Sequence, residues 1–247
     1  MLLVAGLTVA TAACSDDSLA GLGGRSSEWI GEVATTASTT TTTAPVRTRS
    51  AQDAEWINDE FGAPDPDLSG GRVLAAVFAR SGDSSQFLQA SRQEIVAVVP
   101  DIRFPSVLPV EARYVTSQLV IESRELTLAD DPTVAFGLWS VEPYSRSRSV
   151  GQLAVLNASR DTDGVARAEE GDPEELCTAL ISGERTCGLE ELGSGRVWRL
   201  EDEGGVVHVW FADPFRYELE GMRGVGEELV HQVISSAVAL EELLPPG

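Results

Sequence analysis

Between Pro105 and Gly221 the apolar residues recur at every second position, and that period limits the fold more than any other feature. "ARYVTSQLVIE" (112–122) sets Val115, Leu119 and Ile121 on one side, with Thr116 and Gln118 on the other. Side chains alternate in this way along a strand and not along a helix. "TVAFGLWSVE" (133–142) and "SVGQLAVLNAS" (149–159) have the same character, and the charged link "EPYSRSRS" between them suits a hairpin-like loop. The second of these is expected to end at a turn, "RDTDG". "GRVWRLEDEGGVVHVWFAD" (195–213) reads as a hairpin turning at Gly204-Gly205, with Val207, Val209 and Phe211 facing one way and His208 and Trp210 the other. "FRYELEG" (215–221) adds a further strand. Short connections of this kind favour antiparallel pairing.

Helical spacing flanks and interrupts the strands. In "SSQFLQASRQEIVAVV" (84–99), Phe87, Leu88, Ser91, Ile95, Val98 and Val99 share one helical face, with Ser84 or Ser85 as cap and Pro100 as stop. The preceding "RVLAAVFA" (72–79) fits helix and strand equally. Asp172-Pro173-Glu174-Glu175 is a helix start: Asp at the cap, Pro in the first turn, Glu three residues after the cap. That short helix carries Cys177 and stops near Gly183. The chain closes with a helix expected over 227–244, its stripe formed by Val230, Val233, Ile234, Ala237 and Leu240, ended by Pro245-Pro246. The predicted class is α+β: an antiparallel sheet packed on one face by helices, with a C-terminal helix.

The front of the chain is built differently. Leu2 to Ala13 carry no charge, and twelve helical residues rise only about 18 Å against a hydrocarbon core about 30 Å thick. This fits the apolar core of a secretory signal better than a membrane span. A signal also has a basic beginning, and Met1 runs straight into Leu2, so residues 1–13 are read as a truncated signal peptide. Thr11-Ala12-Ala13-Cys14 resembles the lipobox of bacterial, actinobacterial-type surface lipoproteins, although Thr11 stands where Leu is usual. The resemblance implies cleavage before Cys14 and acyl chains on it, each buried methylene adding about 0.8 kcal/mol of membrane affinity. "ATTASTTTTTAP" (34–45) has nothing to bury and reads as an extended, disordered tether. At roughly 40 residues, a flexible tether spans about 35 Å root-mean-square. The expected organisation is leader 1–13, lipidated tether 14–51, and a globular domain over 52–247 with a sub-boundary near 100–105.

Charge and residue usage exclude whole classes. The 247 residues carry a formal net charge of -21, which repels nucleic acid and anionic headgroups alike. All 18 basic residues are Arg, so no Schiff-base or phosphate-loop lysine exists. With Cys14 assigned to the anchor, Cys177 and Cys187 remain, and an isolated pair in an exported protein reads as a disulfide. Their spacing matches neither C-x-x-C nor a zinc motif.

Chemistry is sparse. The two histidines, His208 and His231, are read as a partly exposed sheet residue and a residue on the polar side of the final helix. Neither G-x-S-x-G nor H-E-x-x-H occurs, and "GSGR" (193–196) and Asp65-Pro66-Asp67 are simple turns. Against a calcium loop, Asp161, Asp163, Gly164 and Glu170 fall at positions three, five, six and twelve. Ser159 at position one and Arg167 at position nine oppose a dication, and an Asp-Gly turn explains the same letters, so no metal and no cofactor is expected. Asn157-Ala158-Ser159 has the glycosylation pattern. Trp139, Trp198 and Trp210 lie on predicted strands, as core residues unless they share an open face.

The last 50 residues, with "VWRLEDEGGVVHVWF" and "EELVHQVISSAVAL", together with "FPSVLP" (104–109), resemble extracytoplasmic domains of unknown function in bacterial envelope regulators. The expected function is that of a membrane-anchored, extracytoplasmic lipoprotein presenting a non-catalytic binding domain to an envelope protein partner. The alternatives are a carrier of a lipid or other apolar ligand between sheet and helix, and an exported hydrolase without a recognisable motif.

Overall fold

A computed structural model describes residues 47–61, 73–76, 85–121, 132–143, 150–181, 183–192, 195–222 and 225–246. The leader, Cys14, the Thr-rich tether and Asp65-Pro66-Asp67 lie outside them. In chain order, β1 (Thr48–Ser50) leads through a 3-10 turn into β2 (Glu55–Trp56) and a second 3-10 turn at Ile57–Phe61. Then come β3 (Val73–Ala76), β4 (Ser85–Gln89), α1 (Arg92–Val98), β5 (Arg103–Pro105), β6 (Val107–Pro109), β7 (Tyr114–Ile121) and β8 (Val134–Trp139). β9 (Gln152–Arg160) runs into α2 (Thr162–Glu170) and α3 (Pro173–Leu180). Four strands follow: β10 (Thr186–Leu192), β11 (Gly195–Asp202), β12 (Gly205–Ala212) and β13 (Phe215–Gly221). The chain ends in α4 (Glu227–Ser235), β14 (Ala237–Ala239) and a 3-10 turn at Leu240–Leu243.

The fold is the expected α+β class. Among the described residues, one ten-stranded sheet runs in the order β10-β11-β12-β13-β9-β8-β7-β4-β3, antiparallel along that path, with β2 parallel to β7. The hairpins read from the sequence are present, and β13 falls on the predicted 215–221. One face of the sheet carries the main core. Val134, Phe136 and Leu138 of β8 lie beside Ala154, Leu156 and Ala158 of β9 and Phe215, Tyr217 and Leu219 of β13. Against them pack α1, α4 and the segments around β5 and β6. On the opposite face, α2 and α3 add a small layer over Trp198, Leu200, Val207 and Val209. The alternation along β12 therefore holds: Val207 and Val209 point to α2 and α3, and Trp210 joins the main core, stacked on Tyr217 at 5.2 Å.

Three local expectations are corrected. The helix predicted over 84–99 is two elements. Phe87 and Leu88, adjacent and both buried, are consumed by β4, which pairs with β3 and β7. The helix starts only at Arg92, behind a capping box. Ser91 Oγ accepts from the Glu94 N–H, and the Glu94 carboxylate accepts from the Ser91 N–H. The turn predicted at 160–164 is the start of α2, with Asp161 as its cap. The closing helix stops at Ser235. The Ser236 hydroxyl donates to the Val233 carbonyl and accepts from the Val107 N–H, diverting the chain into β14 against β5. Ala237 is therefore a strand residue, and Leu240, fully buried, sits in the final 3-10 turn.

Candidate ligand-binding cleft

The β11–β12 register places Arg199 directly opposite His208, and Gly188 of β10 opposite Arg199. Glu190, two residues from Gly188, therefore shares their face, the one covered by α4. β13 ends at Gly221 (φ 108°) and Met222 (φ 58°). A Cβ on Gly221 would come within 2.6 Å of the Leu153 carbonyl, which accepts the Met222 N–H at 2.8 Å. The chain then re-enters at Val225, whose N–H donates to the Met222 carbonyl, and α4 begins at Glu227. A non-glycine residue in the left-handed region is uncommon, and here it turns the chain at the end of β13 against β9.

Between these elements lies a cleft of about 270 Å³, lined by Arg199, Gly205, Val206, His208, Gly221, Met222, Val225, Glu227 and Val230. His208 is 6% exposed, and its Nε2 is buried with no hydrogen-bond partner. Burial first, then the charges of Arg199 and His231, push His208 down from 6.5 to about 4, with Glu227 opposing. Arg199 donates to the Glu201 carboxylate at 2.6 Å, and its Nε lies 3.8 Å from Glu227. At the rim, His231 Nε2 is 2.6 Å from Glu190 Oε2. Glu190, Glu227 and His231 each offer a donor atom within 4.8 Å of the others.

The other residues singled out in the sequence do not converge here. Cys177 and Cys187 are bonded to one another, with Cα atoms 5.8 Å apart, and tie α3 to β10. Asp161 Oδ1 accepts the Gly164 N–H at 2.8 Å. Glu170 sits at the far end of α2, about 12 Å along the axis at 1.5 Å per residue, so these carboxylates form a helix and not a cation loop. A Cβ on Gly164 would meet the Phe211 ring at 2.6 Å, which is why the first turn of α2 holds a glycine. Trp198 is fully buried under α2 and α3, Trp210 is buried on the opposite face, and Trp139 is half-buried, so no open aromatic platform joins them. Asn157 lies mid-strand in β9, between β8 and β13.

His208 is buried, not partly exposed as the alternation suggested, because α4 crosses its end of the sheet. Arg199, Glu190, Glu227 and Met222 escaped the sequence reading. The one legible signal was the spacing Glu227-x-x-x-His231, which sets two potential ligands on one helix face.

No family model matches the chain. No curated protein and no solved structure matches it either, so no enzyme family or homologue is found. Among the described residues, no helix is long and apolar enough to cross a membrane.

Proposed function

We propose that the chain is a lipid-anchored extracytoplasmic protein whose folded unit is a non-catalytic binding domain, with the cleft beneath α4 as its ligand site. The observation that carries the reading is the cleft itself, which gathers the Arg199, His208 and Glu227 side chains beneath α4. The His208 Nε2 is also buried without a partner, and an unsatisfied polar atom of that kind costs about 1–3 kcal/mol. The cleft's lining holds Arg, His, Glu, Gly, Val and Met but no hydroxyl or thiol nucleophile. An imidazole held down to about 4 is also a poor general base near neutral pH. Both favour binding over hydrolysis. The cleft's volume is near the lower limit of small-molecule pockets, about 300 Å³, which disfavours a carrier of long acyl chains. The lipobox resemblance at Thr11-Ala12-Ala13-Cys14 and the Thr-rich spacer support presentation at the cell membrane.

Native mass spectrometry of the protein extracted from its own membranes tests both parts. The expected mass starts at Cys14 with acyl chains and carries a non-covalent adduct that is absent from Val225→Trp, a substitution that fills the cleft. An adduct-free wild-type mass overturns the cleft reading, and a chain uncleaved at Cys14 overturns the anchor.

A further inference from the structure

Glu227 and His231 stand one helical turn apart, so both project from the same face of α4. Across from them, Glu190 of β10 already contacts the His231 ring at 2.6 Å, and the three donor atoms are mutually within 4.8 Å. Glu190 and His231 are half-buried, whereas Glu227 is exposed.

We propose that Glu190, Glu227 and His231 form a binding site for a divalent first-row transition ion of the zinc class at the rim of the cleft. The inference rests on the cleft as a binding site and names what its rim holds. A single imidazole with two carboxylates suits zinc, whereas calcium and magnesium take oxygen donors. Zinc bonds of about 2.0–2.2 Å in tetrahedral geometry set donor atoms about 3.3 Å apart. The His231–Glu190 contact therefore opens by roughly 0.7 Å while the Glu227 carboxylate closes in, small rotations for side chains that reach solvent. The ion takes the place of the direct contact between His231 Nε2 and Glu190 Oε2.

His208 lines the cleft that Glu227 also lines, so the rim cluster adjoins a polar pocket. Arg199 is the opposing charge, with Nε 3.8 Å from Glu227, yet its Nη1 is held by Glu201. Two carboxylates, Glu201 and Glu227, thus lie against one guanidinium, and Glu190 adds a third carboxylate beside Glu227.

The test is calorimetric titration of the full chain, stripped with a chelator, with zinc chloride and separately with calcium chloride. One zinc per chain is expected, with calcium far weaker. His231→Ala and Glu190→Gln should each weaken zinc at least roughly tenfold, the loss that even an outer-shell partner causes. Glu227→Gln, at an exposed first-turn position, supplies the same comparison should either of the others fail to fold. Zinc uptake unchanged in all three variants, or matched by calcium, overturns the site. Absence of zinc binding with the native-mass adduct intact removes the metal and leaves the cleft reading standing. Loss of both removes the cleft reading as well.

Discussion

One face of one sheet is finished in two different ways. At the β7–β8 end, Trp56, Phe104 and Phe136 interlock edge to face, with centroids 4.9 Å and 4.8 Å apart along the chain of contacts. The buried Asn58, Ser117 and Arg92 side chains are partnered there. Asn58 accepts the Ser117 N–H, the Ser117 hydroxyl donates to the Ala90 carbonyl, and Arg92 pairs with Asp59 while its guanidinium lies 4.5 Å from the Trp56 ring. At the β11–β12 end the equivalent inward positions hold Arg199 and His208, a cleft stays open, and Nε2 of His208 has no partner. Buried polar atoms are normally paired, and each exception asks for an explanation. The contrast sets a dry, interlocked end of the sheet against a polar end that stays open.

Damage to the dry end is expected to cost the most. Phe136→Ala should cost about 3–5 kcal/mol in urea unfolding, since the packed ring leaves a cavity its neighbours cannot fill. A loss under about 1 kcal/mol would mean that the two ends are equally loose.

The polar end responds to acid. Below 6.5 the unfolded chain protonates His208, while the folded chain resists until about 4. This residue's contribution is therefore fully present above 6.5 and is lost as pH falls toward 4, amounting to about 3 kcal/mol. Measured against His208→Leu, which lacks the group, wild type should lose that much extra stability between pH 7 and pH 4. Parallel curves for the two proteins would place a solvated imidazole at this position.

The smallest of these effects concerns the layer on the other face. Removing the Cys177–Cys187 bond by a double Ala substitution should cost about 2–3 kcal/mol on the chain-entropy estimate for so short a loop. The zinc titration should be unchanged by it, because α3 packs on the face opposite α4. A change in zinc affinity would show that the two layers are coupled through β10.

Most of the sheet was legible, because alternation in β7, β8, β9 and β11 to β13 is a local signal and the connections between them are short. The Asp172-Pro173 start of α3 and the cysteine pair were legible for the same reason. β4 was not. Phe87 and Leu88 match a helical stripe with Ile95 and Val98, and only pairing with the distant β7 decides otherwise. Ser91-x-x-Glu94 was the local clue that the helix begins later. β14 was hidden likewise, because its partner β5 lies more than a hundred residues earlier. For the cleft, the face of His208 was readable from Trp210, but its burial depends on α4. Glu190, Arg199 and Glu227 come together only through the register of three strands and one helix, which no local pattern contains.

The most direct check of the claim that this polar end is a site and not a flaw in the core is the unfolding free energy of His208→Leu at pH 7. If His208 is retained for binding, replacing its unpartnered nitrogen leaves the protein at least as stable as wild type, with a gain of up to about 1–3 kcal/mol. A loss of several kcal/mol would contradict the account and make His208 a structural residue like Phe136.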